Sequence, residues 1–247
     1  MKLPKVIGHR GACGYAPENT IESIRTAAEL GATWVEIDVK LTKDSVPIIF
    51  HDDTLERTTN GSGLVAQTLY KDLEDLDAGS WYADGFATAK IPTLEEAIDE
   101  ILKAGLGLNL EIKPCPGREV ETAEAAMDIM SRIWDDPNML LVSSFQHVSL
   151  ETARDIAPDW KRALLLDEPS ENWEALAEYL EVSAINFDGR KSQFNREMIE
   201  LFIEGGYNTL AYTINDPFRA KTLYSWGVDG VFSDVPDVIE VGSTTRH

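Results

Sequence analysis

From Gly107 onward, short apolar runs alternate with helix-length amphipathic segments, and this alternation constrains the chain more than any other feature. The runs place strands at 107–113, 139–145, 161–166, 184–188, 208–214 and 229–233. Helices are expected near 118–134, 148–156, 171–181, 195–204 and 217–226. Upstream, the same reading gives a strand at 5–10, a helix at 20–30, a strand at 34–41 and a helix at 93–104. A helix between successive strands supplies the crossover that parallel neighbours need, so the sheet should be parallel. Leaving out the run 46–51, the strands number eight, the count of a TIM-type (β/α)8 barrel. With 247 residues, of which 43% are hydrophobic, the chain is long enough for one such domain over 1–247.

The run 46–51 is set aside because only Lys43, Asp44 and Ser45 separate Thr42 from Val46. A parallel neighbour requires a dozen or more connecting residues, so this run should fold back as an antiparallel hairpin strand. A two-residue turn at Asp44-Ser45 would set Lys43 against Val46 and, counting outward, His51 against Asp38. Residues 52–92 contain Asn60-Gly61-Ser62-Gly63 and Gly79-Ser80-Trp81-Tyr82 and hold no sustained period. They are expected to form an insertion over one barrel end, as a lid or as a packed excursion. Gly242 to His247 read as a terminal tail.

The strand 34–41 alternates strictly, with Trp34, Glu36, Asp38 and Lys40 on one face and Val35, Ile37, Val39 and Leu41 on the other. The aliphatic face should pack under helices, which turns the polar face into the barrel. Strand 107–113 repeats the pattern with Asn109, Glu111 and Lys113. Glu36, Asp38 and Glu111 are three hard oxygen donors, which suit magnesium or calcium better than zinc. The alternative is a metal-free buried ion network among Glu36, Asp38, Lys40 and Lys113.

Charge bears on the same question. With 43 acidic and 22 basic residues the net charge is -21, which would repel nucleic acid and an anionic membrane alike. An acidic protein that handles phosphate must neutralise it locally, with a cation or a few focused Arg and Lys side chains. No secretory segment and no membrane anchor is expected, and Cys13 and Cys115 suggest no disulfide framework. These features fit a soluble protein of the reducing cytoplasm.

His9 and Arg10 end the first strand between Gly8 and Gly11, whose freedom lets the chain bend so that both side chains reach one anion. Arginine grips phosphate in a bidentate manner, and histidine transfers a proton near neutral pH. His51 arrives at the same barrel end through the hairpin. Of the other two histidines, His147 reads as structural and His247 as terminal. Ala16-Pro17-Glu18-Asn19-Thr20 reads as a helix start capped by Asn19 or Thr20, and Asp234-Val235-Pro236 as another cap. Phe145 and Tyr212 close later strands, as core or as pocket wall.

Taken together, His9-Arg10-Gly11, Pro17-Glu18-Asn19-Thr20, Glu36-Ile37-Asp38, His51-Asp52, Glu111-Ile112-Lys113 and Gly227-Val228-Asp229-Gly230 with Ser233-Asp234 resemble the glycerophosphodiester phosphodiesterase family. The resemblance runs over nearly the whole chain and is nearest to small cytoplasmic bacterial members, which carry the stretch Asp77 to Tyr82 as well. Ser233 stands where many relatives have threonine, a change that keeps the hydroxyl.

The resemblance implies a TIM barrel with 52–92 as the family insertion. It implies one divalent cation, Mg2+ or Ca2+, on Glu36, Asp38 and Glu111, an acid/base pair of His9 and His51, and phosphate contacts from Arg10 and Lys113. Phe145, Tyr212 and Trp81 are implied as substrate-pocket residues. The implied reaction splits small glycerophosphodiesters into sn-glycerol 3-phosphate and an alcohol. Either histidine could be the base, and water or the substrate's own 2-hydroxyl could attack. The rival readings are a lysophospholipase D acting on single-chain lipids and a barrel that binds a phosphodiester without turnover. The alcohol preferred, the native metal and the oligomeric state have no distinctive mark in the sequence.

Overall fold

In the computed structural model, which describes residues 3–243, the β/α alternation closes on itself. The elements are β1 (Val6–Gly8), α1 (Ile21–Glu29), β2 (Trp34–Leu41), β3 (Pro47–Ile49), α2 (Tyr70–Leu73), α3 (Leu94–Lys103) and β4 (Gly107–Ile112). They continue as α4 (Glu119–Ile133), β5 (Leu140–Ser144), α5 (His147–Ile156), β6 (Arg162–Leu166), α6 (Trp173–Tyr179) and β7 (Ala184–Asp188). The last described elements are α7 (Arg196–Glu204), β8 (Asn208–Tyr212), α8 (Pro217–Ser225), β9 (Gly230–Ser233) and α9 (Pro236–Ser243). Eight parallel strands run β1-β2-β4-β5-β6-β7-β8-β9 and close by pairing β1 with β9, Gly8 against Ser233. This is the expected TIM barrel, with β3 outside the ring and antiparallel to β2.

Packing explains the closure. The outward aliphatics Val35, Ile37 and Val39 join Leu108, Leu110 and Ile112 beneath the helices. Helix α3 lays Leu94, Ala97, Ile98 and Ile101 on that layer, the i, i+3, i+4, i+7 stripe of an amphipathic helix. Its start is fixed by a capping box in which Thr93 accepts from the Glu96 backbone and Glu96 from that of Thr93. Inside the barrel, Ile7, Trp34, Leu141, Ala163, Ala184, Leu210 and Phe232 form an apolar floor. Gly107 lies so close under the Trp34 indole that a Cβ there would fall 2.3 Å from the ring. The polar layer above that floor therefore starts at Glu36 and Asn109, which face each other across the strand pair.

The hairpin differs from the expected register by one residue. Lys40 pairs with Ile48 and Leu41 with Pro47, so Phe50 and not His51 stands opposite Asp38, donating its N–H to the Asp38 carbonyl at 2.9 Å. The loop has three residues, not two: Thr42 donates to the Val46 carbonyl, and Ser45 takes a left-handed φ of 62°. The Thr42 hydroxyl accepts from the Val46 N–H and donates to Asp44, which favours this longer loop.

Residues 52–92 form a packed excursion whose core is shared with the hairpin and the loop after β4: Leu55, Val65, Leu73, Ala78 and Ile91 bury one another together with Ile48, Phe50 and Cys115. The start of the expected tail is helical. Gly242 and Ser243 belong to α9, while 244–247, with His247, lie outside the described residues.

Candidate active site

Strand register brings the carboxylates together. Asp38 on β2 faces Glu111 on β4, and Glu36 lies two residues earlier on the same face as Asp38. Ligand oxygens of Glu36, Asp38 and Glu111 all lie within 4.8 Å of one another. Three buried carboxylates repel, and the repulsion is uneven. Burial, with Asp38 and Glu111 close by, pushes Glu36 well above the usual carboxylate range. Burial and the charge of Asp38 push Glu111 up to about 7. Burial works against charge on Asp38 too, but Arg10, His51, Lys113 and a hydrogen bond from Asn19 outweigh it and hold Asp38 below its ordinary value.

This donor set fits a hard divalent cation. All three groups are oxygen donors, and Glu36 Oε1 is buried without a hydrogen-bond partner. The metal-free network weighed from the sequence is only partly formed. Lys113 Nζ donates to Glu111 at 2.9 Å, whereas Lys40 turns to Asp53 at 2.6 Å. Neither reaches the free oxygen of Glu36, which leaves a buried, unpartnered oxygen that a cation would engage in place of the proton that burial favours there.

After β1 the chain bends as expected, and the bend falls on Arg10 and Gly11, with φ of 49° and 84°. A side chain at Gly11 would drive into Ser23, 2.3 Å from its hydroxyl. Glu36 Oε2 holds the turn by accepting the Arg10 N–H at 2.8 Å, so one carboxylate shapes the loop and offers its other oxygen to the site. The Arg10 guanidinium donates to Glu18 at 2.7 Å and lies 3.4 Å from Asp38. Burial opposes its charge, and Asp38, Glu18 and Glu36 more than restore it.

His9 Nδ1 lies 2.7 Å from Asp234 Oδ1, and Asp234 also accepts from Asn215 Nδ2 at 2.6 Å. Burial opposes charge on Asp234, yet these donors, His9 foremost, hold it far below the usual range, so it is the acceptor. His51 repeats the arrangement. Its Nδ1 lies 2.7 Å from Asp52 Oδ1, and Arg57 grips both Asp52 oxygens at 2.6 and 2.8 Å. Arg57 first, then His51, holds Asp52 far down against the cost of its burial. Burial lowers the His51 imidazole below an ordinary histidine, aided by Arg10 and Lys113 and opposed by Asp38. In both histidines Nδ1 is spent on a carboxylate, which leaves Nε2 free for proton transfer.

Both imidazoles line one cavity of about 640 Å³, with Arg10, Glu36, Glu111, Lys113, Phe145 and Tyr212. His51 reaches it even though the hairpin register differs, because β3 ends at Ile49 and the chain turns over the barrel mouth. Phe145 and Tyr212 meet edge to face at 6.0 Å, and Lys113 Nζ sits 5.4 Å from the Phe145 ring centre. Tyr212 donates to the Leu166 carbonyl, and burial raises its hydroxyl far above the ordinary range, so it stays neutral. Trp81 is not among the residues that line this cavity. Its indole N–H is spent on the Ala78 carbonyl and its ring packs edge-on against Tyr82 within the insertion.

Such a mouth places two oriented imidazoles, the Arg10 and Lys113 side chains and two of the three crowded carboxylates, Glu36 and Glu111, around one cavity, with Asp38 beside them. A profile of the glycerophosphoryl diester phosphodiesterase family matches residues 9–238. The chain belongs to that family. The Bacillus subtilis protein YhdW is 36% identical over 242 residues, covering 95% of this chain and 96% of its own. A glycerophosphodiester phosphodiesterase of Caldanaerobacter subterraneus subsp. tengcongensis is 33% identical, covering 95% of each chain. An Oleispira antarctica phosphodiesterase, solved in complex with the product sn-glycerol-3-phosphate, superposes with a TM-score of 0.95 at 42% identity, covering 98% of each chain.

Several residues around this cavity of the glycerophosphoryl diester phosphodiesterase chain have no clear mark in the sequence. Thr20 is the cap of α1, accepting from the Ser23 N–H, whereas Asn19 is buried with a φ of 57° and holds Asp38 from both ends of its amide. Asp234 is no helix cap but the partner of His9. Its position directly after a strand, at the end where His9 emerges, was a usable signal. Arg57 bridges Glu18 and Asp52 and so ties the insertion to the Arg10 turn; nothing in its local sequence announces that.

Proposed function

We propose that the chain hydrolyses glycerophosphodiesters to sn-glycerol 3-phosphate and an alcohol, with His9 and His51 as the acid/base pair. The observation that carries this reading is the pair of Nδ1–carboxylate contacts, which leave two free Nε2 atoms at one cavity beside the carboxylate trio. Glu36, Asp38 and Glu111 would hold one divalent cation, Mg2+ or Ca2+, which when bound screens the phosphodiester charge. Arg10 and Lys113 bind the non-bridging oxygens of the diester and keep its anion in place. One imidazole takes the proton of the attacking hydroxyl through Nε2 while its carboxylate steadies the resulting imidazolium. The other delivers a proton to the departing alkoxide. Each transfer is worth roughly a hundred- to ten-thousandfold in rate.

Phe145 and Tyr212 give the glycerol arm an apolar wall. The setting we infer is the reducing cytoplasm, a reading supported by unpaired Cys13 and Cys115. Among the described residues no helix is long and apolar enough to cross a membrane. The deciding assay follows choline release with a coupled oxidase, with glycerophosphocholine and lysophosphatidylcholine as rival substrates, and a dehydrogenase confirms sn-glycerol 3-phosphate as the co-product of the first. Faster turnover of glycerophosphocholine, lost with EDTA and restored by Mg2+ or Ca2+, is the expected result. Preference for the lysolipid, binding without turnover, or indifference to EDTA would each overturn its part of the reading.

A further inference from the structure

Beside His9 lies a second group of potential ligands that the diesterase reading leaves unused. Cys13 Sγ donates to Asp234 Oδ1 at 2.9 Å and lies 3.8 Å from His9 Nδ1, itself 2.7 Å from the same carboxylate oxygen. These separations put a single point about 2 Å from all three atoms, where zinc bonds of roughly 2.0–2.1 Å to nitrogen or oxygen and 2.3 Å to sulfur need only a slight outward shift. The three atoms differ from the carboxylate trio in kind: nitrogen, thiol sulfur and a single oxygen suit a soft or borderline cation. His9 and Asp234 line the cavity, so an ion can arrive from solvent and keep an open coordination position toward it.

We propose that His9 Nδ1, Cys13 Sγ and Asp234 Oδ1 form a second cation site, selective for zinc or cadmium over magnesium or calcium, whose occupation silences His9. Binding releases the thiol proton to solvent. The single proton of neutral His9 moves from Nδ1 to Nε2, and the metal takes its place on Nδ1. An imidazole held this way cannot accept a proton at Nε2 and gives up the one it has reluctantly, so it serves neither as base nor as acid. Mg2+ and Ca2+ remain with the oxygen donors. The protein thus sorts two classes of cation at one barrel mouth, one supporting turnover and one blocking it. Ion binding does not depend on the diesterase reading, whereas the block of turnover rests on it.

The test titrates Cd2+ into the full chain saturated with Mg2+ and reads the cadmium–thiolate absorption band in the ultraviolet. One equivalent is expected to bind in the native protein and in Cys115→Ser, whose thiol is buried elsewhere. Cys13→Ser and Cys13→Ala are expected to lose the band. In parallel, Zn2+ inhibition is measured for each protein relative to its own uninhibited rate. Loss of a partner outside the ligand shell already weakens metal affinity 10–100-fold, so removing the thiolate itself should raise the half-inhibiting concentration about a hundredfold. No band in the native protein, a band surviving in Cys13→Ser, or equal zinc sensitivity of both would overturn the proposal. A Cys13-dependent band in a protein without diesterase activity would support the site and sink the functional reading instead.

Discussion

Replacing Glu111 by glutamine probes the electrostatic cost of building this site, a cost that Glu111 bears directly and also adds to by its charge on Glu36. In the cation-free protein burial and Asp38 raise the Glu111 carboxyl to about 7 from an unfolded value of 4.5. A carboxyl raised by folding keeps its proton in the folded state over a range where the unfolded chain has lost it. Stability is therefore unaffected below about pH 4.5, falls as pH rises from there to about 7, and stays low above. The shift corresponds to roughly 3 kcal/mol, a substantial part of an ordinary domain's 5–15 kcal/mol. His51 acts in the opposite direction in part of this window, because its lowered value makes stability rise with pH. The comparison must be between proteins and not between pH values alone. Urea unfolding of native protein and Glu111→Gln in EDTA, at about pH 5 and about pH 8, should show the native protein losing about 2–3 kcal/mol more than the variant, since a part of the full shift is already lost at pH 5. Saturating Mg2+ or Ca2+ should abolish that difference, because the cation compensates the charge the proton had masked. Parallel pH dependence of the two proteins in EDTA would refute the reasoning.

Three further outcomes are expected. His9→Ala and His51→Ala should each lower turnover of glycerophosphocholine roughly a hundred- to ten-thousandfold, and on a p-nitrophenyl diester only the variant lacking the acid should recover, which identifies it. Arg57→Gln should release Asp52 and Glu18 together and reduce kcat about tenfold or more, with the unfolding midpoint little changed; kcat equal to native protein would remove Arg57 from the positioning of His51. Trp34→Ala empties the barrel floor above Gly107 and should destabilise the chain by about 3–5 kcal/mol in urea unfolding, with a loss under 1 kcal/mol contradicting the packing described.

What the sequence revealed of the fold came from periodicity. Strict alternation from Trp34 to Leu41 specifies which side chains enter the barrel, and the structure has that strand over those same residues. Register across the hairpin was not legible in the same way, since it depends on whether Ser45 accepts a left-handed conformation. That in turn rests on side-chain bonds between Thr42, Asp44 and Val46 that compete with the tighter turn. The one-residue slip exchanges His51 for Phe50 opposite Asp38 and yet leaves His51 at the cavity. The histidine is delivered by the chain after the strand, not by the strand itself.

The partners of the histidines show where linear reading runs out. Asp52 follows His51 directly, so a local pattern contains both. Asp234 lies 225 residues from His9, and the two meet because β1 and β9 are neighbours in a closed ring. A helix-capping role was the natural expectation for an aspartate before Val235-Pro236, because capping is a local interaction and closure is not. Closure carries the more consequential contact here: the Ser233 carbonyl accepts the His9 N–H at 2.9 Å, which holds the first residue after β1 against the last residue of β9, next to Asp234. A barrel of this kind can therefore bring residues from its first and last strands to one imidazole. A substitution that loosened the β1–β9 seam would be expected to disturb His9 before it disturbed His51, whose support comes from the insertion through Arg57.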